Sequence, residues 1–298
     1  MKHKECFLND TTCNPINRET GMPVIKEAHI LSQGATMKQL CGIVNNQNVV
    51  YKVSTGKPEG WRKASAYHCF CGIHDDELFK PIENDNAFDH TDLEQLFLHS
   101  FRSFAYEYHQ KRIEMDGNYE LVKGLTDMLT SVTSIFGENA DSSNDLSNDL
   151  DSRYEDHMYA HEKIKTKLTQ AARTKNYQTL LYKAYVIQDK FPLASAGTLM
   201  ADIVSTTTSS FVHYDPDEPQ LARPGIILTA FPDPHRNSTN LIIAGLKDDQ
   251  NAITYLEKFN SMTETELELA VSSLILTTNR KNSFLHPDYW NKIQDHPD

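Results

Sequence analysis

Between Ala66 and Phe79 the chain reads AYHCFCGIHDDELF, which places two cysteines, two histidines and two aspartates within fourteen residues. All five cysteines, Cys6, Cys13, Cys41, Cys69 and Cys71, fall in the first 71 of 298 residues. A secreted disulfide framework is not distributed in this way, so these side chains read as thiols or metal ligands. Zinc takes four ligands from Cys and His, commonly as two pairs from separated segments. Cys6 and Cys13 offer one pair. Cys71 and His74, in C-x-x-H spacing where a loop enters a helix, offer the other; Cys69 and His68 are alternative ligands. Six residues separate Cys6 from Cys13, wider than the usual spacing within a pair, and the competing reading is a set of free buried thiols. Clustering favours a metal, because a small Cys/His module needs a staple to fold. Cys41, between Leu40 and Gly42, reads as a core residue.

Apolar residues make up 39% and aromatics 9% of the chain, the make-up of a folded protein rather than a disordered one. The absence of a run of about 18 apolar residues excludes a membrane-spanning helix, and MKHKECFLNDTT has no apolar signal segment, so the expected setting is cytoplasmic. The formal net charge is −12, which opposes a whole-molecule affinity for nucleic acid. The charge is unevenly spread. Residues 1–68 carry nine Lys or Arg against five acids, a balance of +4, leaving −16 on the other 230 residues. A basic N-terminal part attached to an acidic body suggests separate roles.

The pattern along the chain predicts an α+β protein in two parts: a zinc-stapled Cys/His module over residues 1–88, and a mainly helical body with a small antiparallel sheet over 89–298. In the first part, Val24 to Leu31 reads as a strand and Thr36 to Cys41 as a helical turn or two. Ile43 to Val53 around NNQN reads as a hairpin, Thr55 to Gly60 as a loop, and a helix is expected from near His74 to Pro81. In the second, Thr91 and Glu94 form a capping-box signature before Leu93, Leu96, Phe97, Phe101, Phe104 and Tyr108 at helical spacing. Further helices are predicted over Tyr119–Phe136, Tyr154–Ala172 and Tyr177–Lys190, with an acidic flexible loop at Asn139 to Ser152. Strands are expected over Asp202–Tyr214, Gly225–Phe231 and Asn240–Leu246. Helices follow over Gln250–Phe259 and Thr263–Leu276, the last opened by a Thr263/Glu266 capping box.

Beside the zinc pairs lie Glu27 and His29 in EAHIL, and Asp75 and Asp76 after His74. The succession Cys6, Cys13, His29, Asn45 to Asn48, Cys71, His74, Asp75 resembles the plan of HNH (ββα-metal) nucleases over about residues 1–85. The resemblance implies structural zinc on Cys6, Cys13, Cys71 and His74, His29 as general base, and Asp75 in place of the family's last histidine as ligand of a catalytic Mg²⁺ or Mn²⁺. A carboxylate is an acceptable hard ligand for such an ion. Lys26, Lys52, Arg62 and Lys63 are then the candidate contacts to nucleic acid. The plainer readings are an ordinary hydrogen-bonded histidine at 29, and at 75 and 76 first-turn acids facing a helix dipole.

A second resemblance rests on Cys6, Cys13, AHIL at 28–31, FCGIHDDELFKPIE at 70–83 and NSFLHPDYW at 282–290. It is to uncharacterised bacterial proteins with an FCxxHDxxLF run, and it implies one architecture for both ends of the chain without implying an activity. The Pro287, Tyr289 and Trp290 cluster reads as an aromatic plug. Nucleotide-binding glycine motifs, the G-x-S-x-G elbow and H-E-x-x-H are absent. A Cys69 or Cys71 nucleophile with His68 or His74 is disfavoured because such dyads normally meet across a fold, and STTTSS at 205–210 reads as strand filler. The sequence thus points to a metal-dependent endonuclease of HNH-like type, whose acidic body acts as sensor, regulator or oligomerisation platform. The alternative is a non-enzymatic zinc-stabilised module that binds a partner protein. A third possibility is a small-molecule pocket near His213, Asp215 and His235.

Overall fold

The computed structural model describes residues 5–22, 24–32, 36–83, 87–136, 161–188, 191–200, 225–275 and 280–295. In chain order the amino-terminal elements are β1 (Ala28–His29), α1 (Lys38–Leu40), β2 (Gly42–Val44), β3 (Gln47–Lys52), β4 (Lys57–Gly60), α2 (Trp61–Ala64), β5 (Ala66–Tyr67) and α3 (Gly72–Leu78). They are followed by α4 (Leu93–Phe136), α5 (161–174), β6 (Leu180–Ile187), β7 (Leu193–Met200), β8 (Gly225–Pro232) and β9 (Thr239–Leu246). The chain closes with α6 (Gln250–Glu257), α7 (Glu264–Ser273), β10 (Ser283–Leu285) and α8 (Pro287–Asp295).

The main sheet has eight antiparallel strands in the order β2-β3-β10-β7-β8-β9-β6, with β4 also paired to β3. It is therefore larger than the small sheet expected, and it draws strands from both sides of residue 88. The link is β10, in which Phe284 lies opposite Lys52 of β3 on one side and Ala194 of β7 on the other. At the hairpin, two residues join Val44 to Gln47, and both take left-handed backbone angles (Asn45 φ 50°, Asn46 φ 62°). A two-residue turn matched to strand twist requires this, and asparagine tolerates it.

β8 and β9 are buried along nearly their whole length, because layers cover both faces and alternate side chains go to each. Ile227, Phe231, Ile242 and Ala244 join the core beneath α4, together with Phe97, Phe101 and Phe104. Ile226, Leu228, Leu241 and Ile243 pack on Ala252, Tyr255 and Leu256 of α6 and Leu267 and Val271 of α7. Gly245 lets α6 approach, since a Cβ there would lie 2.8 Å from that of Ala252. Fully burying each such large apolar side chain contributes about 1.5–3 kcal/mol.

The structure corrects several local expectations. α4 is one helix of 44 residues, so no break precedes Tyr119, and its cap is Asp92, which accepts from the amides of Glu94 (2.8 Å) and Gln95 (3.3 Å). Thr91 instead donates its amide and hydroxyl to Asp89. In place of the helix expected over Tyr177–Lys190, the described residues form a short 3-10 turn (Tyr177–Thr179) and then strand β6, paired with β9 over eight residues. The apolar spacing of LLYKAYVI fits either period, and cross-strand pairing decides. Lys57–Gly60 is a strand on β3 rather than loop, β7 was not anticipated, and Val24–Leu31 pairs at Ala28 and His29 with β5 and through a single antiparallel bridge between Ile25 and Cys71. The helix near Pro81 ends earlier, at Leu78, followed by a 3-10 turn over Lys80–Ile82. The Thr263/Glu266 capping box is present. Residues 139–152, 202–214 and the STTTSS run lie outside the described residues, as does the start of the helix expected from Tyr154. Among the described residues no helix is long and apolar enough to cross a membrane.

Candidate metal centre

Cys6, Cys13, Cys71 and His74 are all buried, and their ligand atoms lie within 4.8 Å of one another. Cys71 is the residue that caps the start of α3 and His74 lies in the helix's first turn, so two ligands sit at its amino-terminal end. The other two come from the loop at residues 6–13, and the wide spacing between them is used to anchor that loop. Phe7 and Leu8 are buried, Phe7 packs edge-on against Phe101 (5.5 Å) and Tyr108 (5.4 Å), and its amide donates to the Cys69 carbonyl (2.8 Å). Asn9 then turns the chain through a left-handed angle (φ 41°), and the Cys13 amide closes onto the Asp10 carbonyl at 3.2 Å.

His74 Nδ1 is 3.3 Å from Cys6 Sγ, 3.7 Å from Cys13 Sγ and 3.3 Å from Cys71 Sγ. One ring nitrogen cannot share a hydrogen bond with three sulfurs. A tetrahedral ion with Zn–S near 2.3 Å and Zn–N near 2.1 Å sets S and N about 3.6 Å apart, which the three distances bracket. Burial pushes the Cys6 thiol up to about 12 and raises Cys13, so in this position sulfur keeps its proton unless a cation replaces it. Backbone amides are ready for the resulting thiolate: that of Cys71 points at Cys6 Sγ (3.3 Å), and those of Leu8 and Asn9 also favour it. The four residues form a buried Cys3His cluster able to hold a metal ion such as zinc.

The other face of the imidazole fixes its tautomer. Thr12 Oγ1 donates to Asp10 Oδ1 (2.6 Å) and stands 2.9 Å from His74 Nε2, so Nε2–H donates to the hydroxyl and Nδ1 keeps its lone pair for the sulfur side. Asp10 Oδ1 is 3.4 Å from the same Nε2. Burial opposes ionisation of Asp10, yet bonds from the Thr12 hydroxyl and amide and the charge of Arg173 hold its carboxyl below the usual range. Arg173 of α5 also reaches the loop, with Nη2 donating to the Leu8 carbonyl (2.5 Å) and Nε 3.5 Å from Asp10 Oδ2. Neither Asp10, Thr12 nor Arg173 was singled out from sequence. The D-x-T turn is a readable signal, whereas Arg173 lies 165 positions from Leu8.

The alternative ligands fall outside the tetrad. Cys69 is buried with Sγ toward the Ala105 carbonyl (3.5 Å) of α4. His68 Nε2 lies 3.9 Å from Glu27. Cys41 is half-buried rather than core and turns its thiol to the Lys38 carbonyl (3.1 Å).

His29 and Asp75 belong to adjoining elements of one ββα arrangement, β1 paired with β5 and followed by α3. His29 Nδ1 lies 3.2 Å from Ser65 Oγ, whose hydroxyl donates to the Leu31 carbonyl (3.4 Å). Ser65 therefore accepts from Nδ1–H, and Nε2 is left as a base. Burial lowers the imidazole, against the pull of Glu27, and Arg102 lowers it further. Asp75 is 6% exposed. Burial pushes its carboxyl up while Arg102 and Lys26 draw it down. Arg102, on α4 and 2% exposed, rests over the Phe79 ring (4.1 Å), binds Glu83 at 2.5 Å and stands 3.9 Å from Asp75 Oδ1. Asp75 Oδ1, Arg102 Nε and Tyr67 Oη are buried without a hydrogen-bond partner. Arg102, Glu83, Ser65 and Tyr67 are residues that spacing could not single out.

Of the expected nucleic-acid contacts, Lys26 is bonded to Asp76, and Arg62 and Lys63 are exposed on α2, Arg62 over the Trp61 ring at 5.2 Å. Lys52 lines a cavity of about 280 Å³ with Tyr106, Glu107, Lys111 and Lys281. A larger cavity of about 610 Å³ abuts the outer edge of the cluster at Asp10, Thr12 and His74. His235 is exposed in the β8–β9 turn, and His213 and Asp215 lie outside the described residues. Comparison with protein-family models, with curated proteins and with solved structures finds no match to this chain.

Proposed function

We propose that the amino-terminal part is a zinc-stapled ββα module of HNH-like type that cleaves nucleic acid in a divalent-ion-dependent reaction. The observation that carries the reading is the convergence of Cys6, Cys13, Cys71 and His74 at the start of α3, on the unit that also bears His29 and Asp75. Zinc held by Cys6, Cys13, Cys71 and His74 would be structural, since three sulfurs and one nitrogen would supply all four of its usual ligands. His29 is the general base: its Nδ1–H is held by Ser65, its lowered pKa keeps it neutral near pH 7, and Nε2 takes the proton of the attacking water. Asp75 would hold Mg²⁺ or Mn²⁺, which supplies Lewis-acid stabilisation of the phosphoryl oxygens. Arg62 and Lys63 offer charge to the backbone of the substrate. The acidic body serves as sensor, regulator or oligomerisation platform, and reduced thiols suit a cytoplasmic setting.

Plasmid nicking in Mg²⁺ or Mn²⁺ tests the reading. Activity lost in His29→Ala, with one zinc per chain retained, supports it. The second reading, a non-enzymatic zinc-stapled module that binds a protein partner, is favoured by the two cations beside Asp75; zinc without cleavage under any divalent ion selects it.

A further inference from the structure

We propose that the cavity between β3, α4 and the turn before β10 binds a phosphoryl group, the phosphate monoester of a small molecule, through Lys52, Lys111 and Tyr106. The site shares no residue with the Cys3His cluster or with His29 and Asp75. It therefore goes beyond the HNH-like reading and stands apart from it.

Periodicity brings the lining together. Val50 of β3 is fully buried in the core beneath α4, and Lys52, two residues on, takes the same face of the strand. On α4, Tyr106, Glu107, Gln110, Lys111 and Glu114 recur three and four residues apart and so share one side of the helix. The two surfaces meet around a cavity of about 280 Å³, with Lys281 and Asn282 completing its lining. That volume is at the small end of ligand sites.

The charges of the cavity do not cancel among themselves. Glu107 accepts from Asn282 Nδ2 (2.5 Å), and Glu114 stands 3.4 Å from Lys281 Nζ, so each carboxylate has its partner in the turn before β10. Among the described residues the ammonium groups of Lys52 and Lys111 make neither a hydrogen bond nor an ion pair; Lys111 only feels Glu107 at longer range. Burial disfavours the charged form of Glu107, which leaves the lining net positive. At the inner wall Tyr106 is 4% exposed, and its ring meets Tyr67 edge-on at 5.3 Å. Its hydroxyl has no hydrogen-bond partner among the described residues. A nearly buried donor of this kind calls for an acceptor, and the two uncommitted ammonium groups require that acceptor to be anionic.

The donor set selects phosphate. Three lysines and no arginine line the cavity. A guanidinium matches a planar carboxylate with its fork, whereas ammonium groups are point charges with rotatable donors and can meet a tetrahedral oxyanion from separate directions. Ile113 and the Tyr106 ring offer apolar surface to the organic part of the ligand.

Phosphorus NMR titration of the zinc-loaded full chain with phenyl phosphate and with inorganic phosphate tests the pocket. One saturable site per chain is expected for both, weakened by added salt. Lys52→Met, Lys111→Met and Tyr106→Phe are each expected to lower affinity about tenfold, the loss of one hydrogen bond to a charged group, with zinc content unchanged. Glu114→Gln, which releases Lys281, is expected to tighten binding about threefold, the range of an exposed ion pair. Lys52 sits within the sheet, so Lys111→Met, on the helix surface, decides the matter if the first variant fails to fold. Absence of a saturable site, or Lys111→Met binding phenyl phosphate as the wild type does, overturns the inference. Displacement of phenyl phosphate by a short oligonucleotide without a terminal phosphate would assign the pocket to a nucleic-acid backbone and overturn it as a small-molecule site.

Discussion

The Thr12 hydroxyl lies 2.9 Å from Nε2 of His74, on the side of the ring away from the three sulfurs. It is in turn committed to Asp10 at 2.6 Å, so the chain Asp10–Thr12–His74 sets the tautomer that a metal ligand needs. Removing an outer partner of this kind commonly costs about 10–100-fold in metal affinity. Thr12→Val, which keeps the shape and deletes the hydroxyl, is therefore expected to weaken zinc binding by about tenfold. Competition with a chromophoric chelator measures it, and unchanged affinity would show that Nε2 has another partner.

Cys69 and Cys71 are two residues apart yet have different prospects. Cys71 belongs to the tetrad, whereas Cys69 turns its sulfur to the Ala105 carbonyl. Cys71→Ser is expected to lose the metal and much of the stability of the module, because the binding free energy of a structural site is also folding free energy. Cys69→Ser is expected to retain one zinc per chain and cost only about 1–2 kcal/mol, the penalty of a buried hydroxyl with one available acceptor. Elemental analysis and thermal melts of the two variants, with and without chelator, check the contrast.

Much of the site could be read from sequence, for a definable reason. Cysteine and histidine in metal-ligand spacing are local signals, and Cys71-x-x-His74 announces itself whatever the surrounding fold does. The strands from Gly225 and Asn240 were legible too, because sheet buried on both faces leaves a continuous apolar run. What stayed hidden depends on distant chain. Arg102 meets Asp75 only once α4 crosses α3, and Lys57–Gly60, with two lysine or proline residues among four, becomes strand only because β3 offers an edge. LLYKAYVI is ambiguous in the same sense, since its period is settled by β9 rather than by its own residues.

His99 gives the fold a predictable acid sensitivity. Its ring stacks on Phe231 at 4.7 Å and meets the edge of Phe88 at 5.7 Å. Burial, reinforced by the charge of Arg102, lowers it to about 3. The unfolded chain binds this proton at about pH 6.5, so between pH 6.5 and about 3 the unfolded state carries more protons than the folded one and stability falls as pH falls. The contribution is about 1.4 kcal/mol per pH unit within that window. His99→Phe removes the proton site while keeping an aromatic ring in the stack. Denaturant unfolding from pH 7 to pH 4 is expected to show a shallower acid limb for the variant, and parallel limbs would place the acid sensitivity elsewhere.

Phe284 lies opposite Lys52 in one neighbour and Ala194 in the other, and it is fully buried. Through this one short strand the hairpin of the amino-terminal part joins the sheet of the body, and a second connection runs through the core, where Phe7, Phe70 and Phe79 all pack on Phe101. Residues 1–88 alone would leave β3 without β10 and expose those three rings. The fragment is accordingly expected to show no cooperative thermal transition even with zinc, while in the full chain Phe284→Ala is expected to cost about 3–5 kcal/mol, the usual range for emptying a packed aromatic site. A cooperative melt of the zinc-loaded fragment would mean that the Cys3His staple is sufficient by itself. A Phe284→Ala cost well below that range would mean that β10 decorates the sheet rather than joins it. Because the ligands and His29 sit on elements backed by this shared core, failure to fold in the fragment and loss of metal affinity in it are expected to appear together.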